Sequence, residues 1–339
     1  MFDQDRVEVR FGLEAVRRAV ELARRVQDEM VGTALAKSDK SPVTVADFAV
    51  QALVGGLLAE AFPGDLLVAE EASGTLQAPE NADTLAQVTR FVRGLRPGVD
   101  AATVCRWIDR GADGDARRPP AAGRFWTLDP IDGTKGFLRG DQYAVALALL
   151  DQGEVQVGIL GCPNLNADVQ PDIAGAGCVV VAVRGQGTWI APAVNARGYR
   201  RLHVSTRSQP HEARVLRSFE AAHTNTDELS NVVQALGVRA APVLMDSQAK
   251  YAVLAAGHGD LLFRLLSAAR PDYREQIWDQ AAGSLVVQEA GGCITDLAGK
   301  ALDFTTGRTL ANNRGVLASN GKLHAAALAA LKSPTADSP

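Results

Sequence analysis

Four apolar runs crowd the middle of the chain and constrain its fold more than any other feature: Phe125–Leu128, Tyr143–Leu150, Glu154–Leu160 and Cys178–Arg184. The second and third are separated only by Asp151-Gln152-Gly153, and Gly185-Gln186-Gly187 follows the fourth. Strands joined by such tight turns pair antiparallel, because a parallel crossover needs about a dozen residues or more. Ahead of them, apolar residues at helical spacing (Leu13, Val16, Val20, Ala23, Val26) predict a long amphipathic helix to about Leu35, and a second helix is expected over Phe48–Phe62, stopped by Pro63-Gly64-Asp65. Leu66–Ala69 reads as a short buried strand ending in Glu70-Glu71, and helical stretches are expected near Asn81–Val92 and Ala101–Ile108.

After Arg200 the pattern changes. Short apolar runs at Ala213–Leu216, Ala241–Leu244, Leu261–Leu265 and Cys293–Thr295 alternate with helical segments near Thr226–Leu236, Gln248–Ala256 and Gln280–Glu289, which is α/β organisation. The expected division is an α+β domain over 1–200, an α/β domain over 201–332 and a disordered tail over 333–339.

With 35 basic against 39 acidic side chains the chain has no basic field to hold a nucleic-acid polymer. No apolar window is expected to reach the roughly 18 residues that span a bilayer, and residues 1–10 lack the apolar core of a signal peptide. A soluble cytoplasmic protein, monomeric or homodimeric and without a membrane partner, is the expectation. Cys105, Cys162, Cys178 and Cys293 are scattered in sequence and read as reduced, mostly buried thiols. The arginines of the Gly111–Gly123 loop could meet an anion; a solvated face is the ordinary reading.

The chemistry is concentrated in Trp126–Arg139. Asp129 and Asp132 lie at the end of an apolar strand, where Pro130 is expected to end pairing and Gly133 to permit a tight turn. Two carboxylates with the Ile131 carbonyl between them are hard oxygen donors of the kind that suit Mg²⁺ or Mn²⁺. Gly133 and Thr134 then offer backbone N–H groups and a hydroxyl as a phosphate seat. An isolated Asp-x-x-Asp-Gly is more often a surface turn with capping aspartates. Three further acids weigh against that: Glu70 with Glu71, Asp47 after Val43-Thr44-Val45-Ala46, and Asp279 in Trp278-Asp-Gln-Ala-Ala-Gly283, itself readable as an N-cap.

Val68-Ala-Glu-Glu71, Leu128-Asp-Pro-Ile-Asp-Gly-Thr134 and Trp278-Asp-Gln-Ala-Ala-Gly283, in this order, resemble the lithium-sensitive, magnesium-dependent phosphatase superfamily that includes inositol monophosphatase. The extension to Gly140, with Gly161-Cys-Pro-Asn-Leu165 and Gly307-Arg-Thr-Leu310, resembles its 3′(2′),5′-bisphosphate nucleotidases. That resemblance implies a layered αβαβα sandwich of the sugar-phosphatase type, two or three Mg²⁺ per site, and hydrolysis of 3′-phosphoadenosine 5′-phosphate to AMP and phosphate, with the 5′-phosphosulfate analogue a further candidate. It assigns metal ligation to Glu70, Asp129, the Ile131 carbonyl, Asp132 and Asp279, and orientation of the attacking water to Asp47 and Thr134. Glu71 is left open, since adjacent strand residues face opposite sides.

For the small phosphorylated nucleotide, the resemblance assigns Gly133, Thr134 and Asp279 to the phosphate side, Ser247, Lys250 and Arg264 to a phosphate or the adenine edge, and His223 and Thr224 to the base or ribose. The ordinary alternatives are a solvent-facing Lys250, a structural ion pair at Arg264 and a loop histidine at 223. Ser267–Tyr273 is longer than the family pattern, which leaves Arg270 and Tyr273 open as base contacts. An inositol (poly)phosphate 1-phosphatase shares the same metal chemistry, and a non-catalytic nucleotide or metal sensor is the reading from another class. Keeping all of Asp47, Glu70, Asp129, Asp132, Thr134 and Asp279 argues against the sensor.

Overall fold

The structure is a computed structural model and describes residues 1–31, 41–112, 123–194, 198–219, 226–267 and 269–332. His223, Thr224, Arg117, Arg118 and the 333–339 tail lie outside the described residues.

Strand β1 (Leu66–Ala69) runs parallel to β2 (Phe125–Asp132). The sheet continues antiparallel through β3 (Ala144–Asp151), β4 (Glu154–Cys162), β5 (Cys178–Val183), β6 (Gly187–Pro192) and β7 (Arg200–Leu202), seven strands in chain order. On β3 the alternation of side chains sorts residues between two cores. Val145, Leu147 and Leu149 pack towards α1 (Val7–Val26) and α2 (Ser41–Ala61), which lie on one face. Ala144, Ala146 and Ala148 face a second core. Both faces are covered, so β3 reads as a continuous apolar run.

The second core is shared with a five-stranded sheet built from β8 (Val215–Arg217), β9 (Val243–Leu244), β10 (Leu261–Arg264), β11 (Cys293–Thr295) and β12 (Val316–Ser319), in the order β11-β12-β10-β8-β9. Strands β8, β9 and β10 are parallel, and β12 is antiparallel to both its neighbours. Helices α7 (Ala249–Ala255) and α8 (Ala281–Glu289) fill the space between the sheets. The outer face of the second sheet is closed by α6 (Thr226–Ala235) and α9 (His324–Lys332). With α3 (Ala82–Leu95) and α4 (Ala101–Ala112) packed beside α2, the layers run α, β, α, β, α. This is the expected sandwich; β6, β7, β12 and α9 are elements that the sequence patterning missed.

Two sequence expectations need correction, and one contact between residues apart in sequence was not foreseen. Helix α2 begins at Ser41, ahead of the expected start, because Pro42 falls in its first turn, where its missing N–H leaves no bond unmade. Asp47 therefore sits on a helix. Residues Thr44–Ala61 are long and apolar enough to cross a bilayer, contrary to expectation, yet 72% of that window is buried inside the protein, so its apolarity serves the core. Finally, Cys162 and Cys178, remote in sequence, are direct partners across β4 and β5, and their hydrogen bond, with burial, pushes the Cys162 thiol well above its usual range.

Gly158 on β4 lets α8 lie directly on the sheet: a Cβ there would stand 2.7 Å from the Ala282 carbonyl oxygen. Backbone cannot rotate away as a side chain does, so Gly158→Val should destabilise by about 1 to 3 kcal/mol through overpacking. The expected readout is a lower urea midpoint with an unchanged m-value.

Candidate active site

The acids meet because of a bulge. Asp129 pairs with Ala146 and Asp132 with Ala144, so β2 uses three steps where β3 uses two, and one extra residue is inserted between them. Pro130 lies in that bulge and does not end the strand as expected; a residue without an N–H is tolerated where the ladder is already interrupted. Residues three apart on a regular strand face opposite sides. The extra residue restores them to one side, and Asp129, Ile131 and Asp132 all line the same pocket of about 310 Å³.

Gly133 follows with φ +91°, and α5 (Thr134–Arg139) starts immediately after it. A Cβ on Gly133 would lie 2.8 Å from the Ser247 Cβ, which leaves glycine as the residue that fits. Ser247 itself holds φ +63°, an uncommon conformation for a side-chain-bearing residue and one that recurs at functional sites. The two turns are tied together by the Gln248 N–H, which donates to Asp132 Oδ2 at 2.6 Å, and by an ion pair between Arg139 and Asp246.

Glu70, Thr134, Lys250, Arg264 and Asp279 also line the pocket, so one cleft gathers Glu70, Asp129, Ile131, Asp132, Gly133, Thr134, Ser247, Lys250, Arg264 and Asp279. Arg270 and Tyr273 stand there too, the guanidinium 5.2 Å from the ring centroid. Asp47 is buried behind the lining, on a helix that packs against both β2 and α5.

Burial acts on every acid, and repulsion from neighbouring acids adds to it at Asp47, Glu70, Asp129 and Asp279. Burial pushes the Asp129 carboxyl well up, and Asp132, Glu70, Asp279 and Asp47 add to the effect. Asp47 is raised well above its usual range by burial, then by Glu71 and Glu70. Glu70 is pushed up to about 7 by desolvation and Glu71, with Arg308 pulling the other way. The residue is exposed at the cleft that it lines. Glu71 is raised by burial alone and does not line the pocket. Its charge reaches Asp47 more strongly than that of Glu70 does.

An oxygen-rich donor set suits a hard divalent cation. Asp129 Oδ1 and Asp47 Oδ1 are buried without a hydrogen-bond partner, and a bound cation or water would satisfy them. Among the described residues no three acidic, His or Cys side chains are gathered tightly enough to hold an ion. What joins Glu70, Asp129, Asp132 and Asp279 is the pocket that they share and the repulsion that they exert on Asp129.

The cationic wall differs from the expectation in detail. Lys250 is buried and donates to Ser218 Oγ at 2.6 Å; burial and Arg264 push it down to about 8. It is not solvent-facing. Arg264 lines the pocket but lies 2.8 Å from Glu275 and 3.8 Å from Asp279, so it is also an ion-pair partner. Sequence reasoning missed Ser218, Asp246, Glu275 and Arg308. Arg308 donates to the Ala69 carbonyl at 2.5 Å and the Gly111 carbonyl at 3.1 Å, and its guanidinium lies 4.7 Å from the Trp278 ring centroid. It thus braces the end of β1 against the segment that leads into Asp279.

The chain matches the inositol monophosphatase family over residues 5–335. It is 39% identical over 340 residues to a 3′(2′),5′-bisphosphate nucleotidase of Emericella nidulans, covering 94% of this chain and 95% of that protein. A 3′(2′),5′-bisphosphate nucleotidase of Schizosaccharomyces pombe is 40% identical over 328 residues, covering 92% and 91%. Among solved structures, inositol monophosphatase-II from Staphylococcus aureus has a TM-score of 0.62 at 17% identity, over 97% of this chain and 96% of that one. The inositol monophosphatase from Anabaena (Nostoc) has a TM-score of 0.60 at 20% identity, over 97% and 98%. At those identities the structural likeness carries the fold, and the family match spans nearly the whole sequence. This chain is a member of the inositol monophosphatase family.

Proposed function

We propose that this protein is a Mg²⁺-dependent 3′(2′),5′-bisphosphate nucleotidase that hydrolyses the 3′-phosphate of 3′-phosphoadenosine 5′-phosphate to AMP and phosphate. The observation that carries this is 39–40% identity, over nearly the whole length, to nucleotidases in a metal-dependent family, combined with one cleft that holds Glu70, Asp129, Asp132 and Asp279 beside the Gly133-Thr134 turn. The 5′-phosphosulfate analogue is a second candidate substrate. Free thiols at all four cysteines fit a reducing cytoplasm, where a monomer or homodimer would act.

Glu70, Asp129, the Ile131 carbonyl, Asp132 and Asp279 would hold two or three Mg²⁺. When bound, Mg²⁺ would lower the pKa of the attacking water and offset charge on the phosphoryl oxygens. Asp47 and Thr134 would orient that water from helices that touch, the carboxylate accepting a proton or hydrogen bond through the hydroxyl. Gly133 and Thr134 would receive the phosphate to be cleaved. Ser247 and Lys250 would bind the remaining phosphate, where a buried ammonium makes a strong charge-assisted contact. His223 and Thr224 are proposed for the base or ribose side. Arg264 would face the nucleotide while holding Asp279 in place.

A phosphate-release panel with Mg²⁺ tests the substrate. The bisphosphate nucleotide should be turned over in preference to inositol phosphates, and the opposite ranking would make the protein an inositol phosphate phosphatase.

Asp129→Asn and Asp279→Asn should each remove nearly all turnover. Saturating Mg²⁺, at about 100 times its dissociation constant, should stabilise the unmodified protein by about 2.7 kcal/mol. A thermal-shift titration should show that gain shrinking in both variants; an undiminished gain would place the metal elsewhere.

Thr134→Ala and Asp47→Asn should each lower kcat by about 10² to 10⁴. The double variant should be little worse than the poorer single one, because residues acting as one unit are not additive. Steady-state rates that multiply across the double-mutant cycle would separate the two roles.

A further inference from the structure

Gln51 is fully buried on α2, one turn beyond Asp47. Helix residues four apart share a face, so the two project together towards the end of β1. Its side chain satisfies three backbone groups at once. Nε2 donates to the Glu71 carbonyl at 2.6 Å and to the Ile108 carbonyl at 2.9 Å, and Oε1 accepts the Glu71 N–H at 2.9 Å. β1 ends at Ala69, so the Glu71 backbone has left the sheet, and the Gln51 amide grips its N–H and C=O as a neighbouring strand would.

The grip falls where freedom would do most harm. Glu70 lines the cleft with Asp129 and Asp132, and the peptide that Gln51 grips belongs to the next residue, so any shift of that peptide moves the Glu70 carboxylate. Left to themselves, like charges at the end of a four-residue strand would separate. The next turn is fastened independently: Ser73 donates to Asp109 on α4 through its N–H at 2.8 Å and its hydroxyl at 2.6 Å. Ile108, the third group that Gln51 holds, is on α4 as well. One amide therefore ties α2, α4 and the acidic end of β1 into a single unit.

We infer that Gln51 is a positioning residue for the metal-binding acids: by clamping the Glu71 backbone it sets where the Glu70 carboxylate stands relative to Asp47 and Asp129. This role rests on the reading of Glu70 as a Mg²⁺ ligand. Gln51 touches neither substrate nor ion and acts through the peptide that it holds.

Gln51→Met keeps the length and volume of the side chain and removes its donor and acceptor. In the full-length protein it should raise the Mg²⁺ concentration for half-maximal thermal stabilisation, and for half-maximal phosphate release, by about tenfold or more, the usual scale for losing a group that orients a ligand. The KM for 3′-phosphoadenosine 5′-phosphate at saturating Mg²⁺ should stay within about twofold, since no substrate contact is lost. Leu323→Ala, a cavity variant in the apolar layer under α9, should lower the melting temperature without moving the Mg²⁺ midpoint. An unchanged Mg²⁺ midpoint in Gln51→Met, with the unmodified protein responding normally, overturns the role alone. No Mg²⁺ response in the unmodified protein overturns the metal reading and the role with it. Should Gln51→Met not fold, amide exchange in the unmodified protein decides: Glu71 N–H should exchange as slowly as the amides of β2. Fast exchange there means that the clamp is not made, and the proposal falls.

Discussion

Carboxylates crowded into one partly buried cleft repel one another, and the rest of the molecule answers to that repulsion. Each acid is mounted on a different support: Asp47 on a helix between others, Glu70 at a strand end, Asp129 and Asp132 across a bulge, and Asp279 just ahead of α8. No single element could hold them, because a flexible segment would let the charges move apart. The supports are themselves cross-braced. Gln51 and Arg308 fasten the end of β1 from two directions, and the Gln248 N–H holds Asp132 from the start of α7. Burial of α1 and α8 against β3 and β4, and of α2 against β2, supplies the stability that this crowding consumes.

Both halves of the chain bring charge to the cleft. Glu70, Asp129, Asp132 and Lys135 come from the half that builds the seven-stranded sheet, whereas Lys250, Arg264 and Arg270, with Asp246 and Asp279, come from the half that builds the five-stranded one. Carboxylates and cations gathered in one cleft suit the small substrate with two anionic ends that is proposed. A polymeric nucleic acid would need an extended basic surface, and this cleft is a closed corner between sheets.

Much of this was legible in the sequence, for identifiable reasons. Asp129, Ile131, Asp132, Gly133 and Thr134 are contiguous, so local spacing and turn chemistry were enough to mark them as a group. Tight turns in one half and alternation in the other marked an antiparallel sheet followed by α/β organisation, while the αβαβα layering came from the family resemblance. The bulge at Pro130 was not legible, because proline reads locally as an end to pairing and only the register with β3 shows the inserted residue. Gln51 was hidden in a helix whose apolarity drew attention to the core. A polar residue four positions after Asp47 on such a helix was the available signal. Cys162 and Cys178 needed strand pairing to bring them together, and Arg308 acts on a carbonyl 239 residues away.

Arg264 shows why residues at the seam resist assignment to one role. Its guanidinium lines the cleft, lies closer to Glu275 than to Asp279, and favours the ionised form of Asp279 against the burial that pushes that carboxyl up. Glu275 in turn accepts from Gln280 Nε2 at 2.8 Å, and Gln280 receives the Tyr251 hydroxyl, so the arginine is anchored through a buried chain that starts on α7. Truncating it would leave Glu275 buried beside Asp279 without its cation, a cost paid whether or not a nucleotide is bound. A substrate contact at this position can therefore exist only on top of a structural one. Lys250 is different: its buried ammonium donates to a serine hydroxyl, a neutral partner that an incoming phosphate could outcompete. The anchored arginine and the exchangeable lysine divide the basic wall between holding the site together and meeting what enters it.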